Sequence, residues 1–572
     1  MTENLNDQKL SYEKGPVDRP LLEKTIGDML DEIVAQYPDN EALISLHQDL
    51  RYTYSEFQED VNKCACALLA AGIRKGDRVG VWSPNYAQWA LIQFATGKIG
   101  AILVNINPSY RLHELEYSLT HSGCSALLLA PHFKSSNYTA MIQELAPELA
   151  HCAPGMLVSA KLPNLKIVVR GKEETVPGMW TWDEFMSLSD SVSREAMREQ
   201  QRRLSPHDPI NIQYTSGTTG FPKGATLSHF NILNNGYFVG EIMKFTDQDR
   251  LVIPVPLYHC FGMVLGNLAC VTHGATMIYP GDSFVAEKVL AAVEKEKATA
   301  IHGVPTMFIA KLEHEDFGKY DLTSLRTGLM AGSPCPIEVM KKVTTEMHLH
   351  EMEIAYGMTE TSPVSTQTCH DAPLEKRVAT VGRVHPHLEI KITSPETGET
   401  VPRGVKGEFC TRGYSVMIGY WNDEEQTREA IDEDGWMHTS DLAIMDDGGW
   451  INIVGRIKDM IIRGGENVYP REIEEFFYTN PKISDVQVIG VPDARYGEEI
   501  MAWIKLVEGE SADAEELREY CKGQIAHYKI PRYIKLVDDF PMTVTGKIQK
   551  FVMRDQSIEE LGLQDAAGVK NA

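Results

Sequence analysis

Residues 210–224 read Ile-Asn-Ile-Gln-Tyr-Thr-Ser-Gly-Thr-Thr-Gly-Phe-Pro-Lys-Gly. The apolar stretch Ile210–Tyr214 reads as a strand and a helix is expected to begin near Ser228, which places the loop between them at the end of a strand. Its glycines let the backbone approach an anion closely, the hydroxyls of Thr215, Ser216, Thr218 and Thr219 offer donors, and Lys223 adds a charge. That composition is phosphate-loop chemistry, with a solvated Gly/Thr loop as the plainer alternative. It is not a Walker A motif, because Pro222 precedes Lys223 and Gly224 stands where a magnesium-binding Ser or Thr would be.

Working outward, helices and strands alternate. Ile26, Met29, Leu30, Ile33 and Val34 repeat at helical spacing behind Thr25, with Asp28 supporting the first turn and Tyr37-Pro38 ending it. Ser55 and Gln58 read as a capping box for a second helix whose stripe is Phe57, Val61, Cys64 and Leu68; Gly72 stops it and a strand, Val79–Trp82, follows. Further strands are expected at Ala126–Leu129, Lys166–Val169, Leu251–Val255, Ala275–Tyr279 and Ala300–Ile301, with a helix over Phe284–Lys297. Parallel strands need long crossovers, so the alternation predicts an α/β fold with buried parallel sheets. Beyond Leu388 the short strands Glu389–Ile392 and Gly407–Thr411 predict a small β-rich subdomain. After Gly455 a smaller α+β unit is expected: a helix opened by Pro470, strands Asp485–Val491 and Ile500–Val507, and a helix marked by Leu517, Tyr520, Cys521 and Ile525. The expected division is residues 1–457 as a large N-terminal domain and 458–572 as a mobile C-terminal domain, with a loosely ordered tail after Ile558.

The chain has 572 residues, 55 Lys+Arg against 80 Asp+Glu, and a net charge of −25. This balance repels polyanions and argues against nucleic acid and anionic membranes as partners, so a phosphate would have to be held locally. The ten cysteines form no C-x-x-C pair, which predicts a reduced protein without a zinc site. The opening MTENLNDQKLSYEKG has neither a secretory apolar core nor Arg-rich transit character, so a cytoplasmic protein is expected. Leu251 to Pro280 contains no Asp, Glu, Lys or Arg, but Pro254, Pro256, His259, Asn267 and His273 interrupt it and favour a buried strand-turn-helix over a membrane span.

The loop after Tyr214 resembles the nucleotide-phosphate loop of the adenylate-forming (AMP-binding) superfamily, which includes acyl-CoA synthetases, luciferases and peptide-synthetase adenylation domains. Further segments match in order: Ala331-Gly-Ser-Pro334, Tyr356-Gly-Met-Thr-Glu360, Thr439-Ser-Asp441, Gly455-Arg-Ile-Lys-Asp459, Gly464-Gly-Glu-Asn467 and Thr545-Gly-Lys547. The resemblance spans roughly Thr25 to Arg554. It is closest to the medium-chain acyl-CoA synthetase-like branch through Asp208-Pro-Ile-Asn-Ile-Gln213, Pro256-Leu-Tyr-His-Cys260 and the run from Lys458 to Asn467.

This resemblance implies roles that single residues do not. Thr215, Ser216, Gly217, Thr218, Thr219, Gly220 and Lys223 would hold ATP phosphates, with Glu360 as the Mg2+-associated acid and Thr359 a phosphate contact beside it. Gly332, Ser333 and Tyr356 resemble the adenine wall. Asp441, an acceptor when ionised, suits the ribose hydroxyls, and Arg456 suits ribose or phosphate. Lys547 would bridge the acid's carboxylate and the α-phosphate. Lys458 would be the hinge about which the C-terminal domain turns, presenting Gly464 and Gly465 to the thiol channel, and His259 and Gly303 would line the acyl and CoA channels. Taken singly, Asp441, Arg456 and Lys547 read sooner as solvated or paired charges, Glu360 as a surface or capping residue, Lys458 as a solvated one and His259 as a core histidine. Cys260 and Lys550 read as structural, and Asp316-Phe-Gly318 as a chance match to a kinase motif.

The implied activity is an ATP-dependent acid:CoA ligase with ATP, Mg2+ and coenzyme A as its small molecules and a medium-chain fatty acid as substrate. Another small acid, a luciferase-like oxygenase or a non-catalytic protein that kept the fold are the alternatives. A peptide-synthetase role is disfavoured, since no carrier domain is expected after Arg554 and Tyr258–Phe261 lacks an Asp to pair with an amino group. Assembly into homo-oligomers stays open.

Overall fold

The computed structural model describes residues 9–171, 174–215, 222–456, 459–463, 466–493, 495–522, 524–544 and 546–564. Two large sheets dominate. The first runs Trp180–Thr181, Ile167–Arg170, Ala126–Leu129, Arg78–Trp82, Ile102–Asn105, Pro209–Thr215, Lys223–Ser228, Gly419–Tyr420. It is parallel as far as Pro209–Thr215 and antiparallel beyond. The second has a parallel centre of Glu41–Ser45, Thr276–Tyr279, Arg250–Val252, Ala300–Gly303, Thr327–Met330 and Glu351–Gly357.

Alternation along the strands sends side chains to different cores. Val79 and Val81 join the core between the two sheets, while Trp82 joins the core on the outer face of the first sheet. Likewise Leu251 and Ala300 face the central core, and Val252 and Ile301 the outer face of the second sheet. The helix Ala87–Ile99 lies in the central layer and is buried on all sides, which is why its sequence shows no polar face. Its one cation, Lys98, is buried against Asp31.

A third, antiparallel sheet, Tyr12–Lys14, Leu388–Thr393, Lys406–Gly413, Met437–Met445 and Ile451–Arg456, forms the expected β-rich part. Its edge strand from the N-terminal segment has no sequence signal of its own. The C-terminal unit packs the helix Pro470–Phe477 against the hairpin Ile483–Asp493 and Gly497–Leu506, with Tyr533–Leu536 added in parallel. Ile525 falls beyond the helix Ala514–Cys521. The helix Lys550–Glu560 extends past Ile558.

Two local expectations are corrected. The strand begun at Leu251 ends at Val252, ahead of Pro254. The stretch that follows turns through helical segments Cys260–Gly262, Met263–Leu268 and Ala269–Val271, all buried. Among the described residues no helix is long and apolar enough to cross a membrane. The second helix, Tyr54–Ala70, is capped by Thr53 and Glu56 rather than by Ser55 and Gln58. Thr53 is the extended last residue of the strand Leu50–Thr53, so the helix starts two residues earlier, and Gln58 instead donates to Asp31 Oδ1 at 2.6 Å. Thr53→Ala is therefore expected to lower stability by about 1 kcal/mol and Ser55→Ala by far less. Urea unfolding of the two variants checks the order.

Candidate functional site

Thr215 ends its strand and Lys223 opens the returning one, and the two stand opposite each other in the ladder. The loop between them carries Ser216, Gly217, Thr218, Thr219 and Gly220, which lie outside the described residues. The Tyr117 hydroxyl donates to the carbonyl of Pro222, the residue before the returning strand, at 3.2 Å. Thr215 Oγ1 donates to Glu360 Oε1 at 3.3 Å, and the Tyr420 hydroxyl donates to the same oxygen at 2.9 Å. Glu360 sits with Thr359 in a buried 3-10 turn, Thr359–Thr361, fixed by Met417 N–H donating to the Glu360 carbonyl at 2.9 Å. Among the described residues Glu360 Oε2 accepts no hydrogen bond. Lys223 lies over the Tyr420 ring, 4.9 Å from its centroid, and bonds to Gln426. Burial and then the Glu360 charge hold the Tyr420 phenol well above its usual range, so it acts as a donor here.

The second cluster lies where the second sheet meets the β-rich sheet. Tyr356 donates to Asp441 Oδ2 at 2.6 Å and Arg456 Nε donates to Asp441 Oδ1 at 2.9 Å, Asp441 and Arg456 being cross-strand partners. The Tyr356 ring meets Phe409 edge-on at 5.1 Å. Burial works against the Arg456 guanidinium, but Asp441 and Asp459 outweigh it and raise its pKa. Gly332, with φ +86°, leaves the strand Thr327–Met330 on an exposed turn with Ser333, and a Cβ there would stand 3.3 Å from Val304.

Lys547 arrives from the C-terminal unit on a tight turn. Gly546 N–H donates to the Thr543 carbonyl at 2.9 Å, Lys547 N–H to Thr543 Oγ1 at 3.1 Å, and Gly546 has φ +77°. A Cβ on Gly546 would come within 2.8 Å of Val304, and Thr306 Oγ1 donates to the Gly546 carbonyl at 3.4 Å. Only glycine fits this backbone and this approach. Val544 packs against the core that Tyr214 and Trp421 also border. Lys547 keeps exposed surface, yet its desolvation, with the Arg456 charge next, lowers its ammonium to about 8 against the pull of Asp441, Asp459 and Glu360. Its charge is thus felt by both clusters at once.

His259 also senses that lysine: burial first and Lys547 second bring its imidazole down to about 4, and its Nδ1 accepts the Phe261 N–H at 3.1 Å. Gly303 ends the strand Ala300–Gly303 directly before Val304, with the Phe308 ring 2.9 Å from where a Cβ would be. The Cys260 thiol is pushed by burial up to about 12, in keeping with a core residue. Lys550 is tied to Glu474 at 2.6 Å, and Asp316 pairs with Lys319. Lys458, Gly464 and Gly465 lie outside the described residues. Sequence reasoning passed over Tyr420 and Gln426 and took Val304 and Thr306 only as members of the uncharged pocket stretch Ile301–Met307; the Gly419-Tyr-Trp421 aromatic pair was the one local signal available for Tyr420.

Residues 30–421 match the family described as AMP-binding enzyme and residues 472–547 the AMP-binding enzyme C-terminal domain. The chain is 50% identical over 546 residues to a putative acyl-CoA synthetase, YngI, of Bacillus subtilis (strain 168), covering 96% of this chain and 99% of that protein. It is 47% identical over 555 residues to the medium-chain acyl-CoA ligase ACSF2, mitochondrial, of Danio rerio, covering 97% and 91%. Among solved structures, the anthranilate CoA ligase AuaEII in complex with anthranoyl-AMP aligns with a TM-score of 0.84 at 26% identity, over 96% of this chain and 99% of that one.

Proposed function

We propose, from the premise that this chain belongs to the AMP-binding enzyme family and is an ATP-dependent acid:CoA ligase, that its acid is a medium-chain fatty acid and that the two clusters joined by Lys547 are its adenylation site. The single observation that carries the site reading is the seating of the Lys547 turn against Val304 and Thr306, and the charges of Arg456, Asp441 and Glu360 all act on that lysine.

In the first step the acid's carboxylate attacks the α-phosphorus of ATP and pyrophosphate leaves. Both reactants are anionic, so the barrier falls when cations stand where they meet. Lys547 supplies one between the nucleoside and phosphate clusters, and Lys223 with the Thr215 hydroxyl faces the departing phosphates. Asp441, aimed by Tyr356 and Arg456, accepts from the ribose hydroxyls, while Gly332 lets the adenine lie close to the backbone. Mg2+ fits the phosphate end on the chemistry of its donors: Glu360 offers a carboxylate oxygen without a hydrogen bond among the described residues, beside the Thr215 and Thr359 hydroxyls. Such a hard cation takes one or two carboxylates plus substrate phosphates, and it would withdraw charge from them.

In the second step the CoA thiol attacks the acyl-adenylate carbonyl and AMP leaves. Lys547 has no bond to assist in that step, so the lysine turn is expected to withdraw, with residues 458–572 moving about Lys458 and Gly464 and Gly465 approaching the thiol. A cytoplasmic setting belongs to the same proposal; its support is the set of ten unpaired cysteines.

Two observations support a medium-length apolar tail. Tyr258–Val271 and Ile301–Met307 contain no Lys, Arg, Asp or Glu. The amides around this segment are also satisfied among themselves. Asn105 donates to the Tyr258 carbonyl at 2.7 Å, Gln213 to Asn211 Oδ1 at 2.8 Å, Gln93 to the Met263 carbonyl at 3.0 Å and Asn267 to Gln93 Oε1 at 2.8 Å. A charged tail there would lose hydration without gaining a partner. Each buried methylene should add about 0.8 kcal/mol until the space is full. The expected result, in ATP- and CoA-dependent thioester formation with product masses, is a kcat/KM that rises and then falls with chain length. A preference for acetate, a free amino acid or a dicarboxylate over octanoate would reject the medium-chain reading.

A further inference from the structure

In the β-rich sheet the pairing of Lys406–Gly413 with Met437–Met445 slips between Glu408 and Cys410. On the facing strand Ser440 takes φ +59°, a left-handed conformation that a non-glycine residue adopts only when its surroundings enforce it. Asp441 is the next residue. A bulge of this kind re-aims the side chain beside it, so whatever fixes the bulge fixes the Asp441 carboxylate.

What fixes it is on the page. Glu408 Oε1 accepts the Ser440 N–H at 2.9 Å, and Glu408 Oε2 faces His438 Nδ1 at 3.0 Å. The other ring nitrogen, His438 Nε2, lies 3.4 Å from Asp432 Oδ2. Asp432 is itself anchored, its Oδ1 accepting the N–H groups of Asp434 at 3.0 Å and Trp436 at 2.8 Å. Thr439 ties down the same turn, donating to the Phe409 carbonyl at 2.7 Å and accepting the Asp441 N–H at 3.1 Å. An imidazole between two carboxylates donates from both nitrogens when protonated, so Asp432, His438 and Glu408 form one charged brace from the loop to the bulge.

We propose that Glu408 and His438 are positioning residues of the adenylation step: the Asp432–His438–Glu408 brace holds the Ser440 bulge and thereby aims Asp441 at the nucleotide ribose. The proposal rests on the reading of Asp441 as the ribose acceptor. Cys410 Sγ lies 3.5 Å from the same His438 Nδ1. Glu408, Cys410 and His438 also bring three ligand-type atoms within 4.8 Å of one another, so a metal ion is the competing bridge.

The test uses the full-length enzyme and acid-dependent pyrophosphate release with ATP, 2′-deoxy-ATP and 3′-deoxy-ATP. Wild type should prefer ATP and Asp441→Asn should lose that preference; if this arm fails, the ribose reading fails. With that arm satisfied, Glu408→Gln and His438→Gln should each raise KM for ATP about tenfold with little change in kcat, and should lose most of the preference for ATP over the deoxy nucleotides. The double variant should be no worse than either single one, because both break the same brace. His438→Lys, which keeps a cation between the carboxylates, should recover part of the preference. Should His438→Gln not fold, Glu408→Gln carries the test, since it keeps the shape of the side chain while removing the charge that faces His438. Folded variants that discriminate between ATP and its deoxy forms as wild type does would overturn the proposal. So would a stoichiometric metal in the purified enzyme that Cys410→Ser removes.

Discussion

Lys547→Ala is expected to slow acyl-adenylate formation by about a hundredfold or more, while thioester formation from supplied acyl-adenylate and CoA stays near the wild-type rate. The asymmetry follows from where the charge is needed. Carboxylate and α-phosphate repel only in the first step, and the Lys547 turn is docked on Val304 and Thr306 where the charges of Asp441 and Glu360 act on its ammonium. The same residue gives the first step a pH dependence. With the free-enzyme ammonium lowered to about 8, the cation is present below that pH and lost above it. The kcat/KM of adenylation, which reports the free enzyme, should therefore fall as pH rises through about 8. Lys547→Arg, whose charge persists, should lack that fall. Equal losses in both half-reactions of Lys547→Ala would show that the lysine acts elsewhere.

The opposite asymmetry is expected at Lys458, the proposed hinge. Lys458→Pro should leave acyl-adenylate formation measurable and suppress CoA transfer by about the same order. Proline fixes φ near −65°, so a domain rotation that uses this torsion is blocked while the arrangement with Lys547 docked remains available. Pre-steady-state measurement of acyl-adenylate, which should accumulate in the variant, separates the two steps. A folded Lys458→Pro enzyme that transfers to CoA at the wild-type rate would place the pivot at another residue.

The parts of the fold legible in advance are those with a local cause. Val79–Trp82 and Ala126–Leu129 are short apolar runs flanked by turn residues, and they are strands in the structure. Thr25 caps its helix through the Asp28 N–H, as its spacing to the first apolar residue predicted. The Ser55/Gln58 expectation failed because two overlapping pairs, Thr53/Glu56 and Ser55/Gln58, both satisfy the capping pattern. The choice was made by the end of the strand Leu50–Thr53, which is set by pairing with Glu41–Ser45. Tyr12–Lys14 had no local cause to be found, since its partner strand, Leu388–Thr393, lies in another part of the chain.

The candidate site divides along the same line. Glycines, hydroxyls and a lysine within residues 215–224 point to phosphate chemistry by themselves, because a loop's anion-binding capacity resides in its own backbone and side chains. The uncharged stretches around Tyr258 and Ile301 likewise declare an apolar wall, since burial cost is a property of the residue type. The resemblance named Glu360 as the acid for that loop, while its contacts come only from tertiary structure. Thr215 meets Glu360 across 145 residues of sequence, and Tyr420, from a third segment, completes the contact. By its own residue type Lys547 reads as an ordinary turn lysine and the resemblance alone implied a role; its lowered pKa comes from the tertiary structure, through desolvation and the charges around it. Desolvation and Coulomb fields are set by what surrounds a group in space, and for these residues the surroundings come from strands and loops with no proximity in the chain.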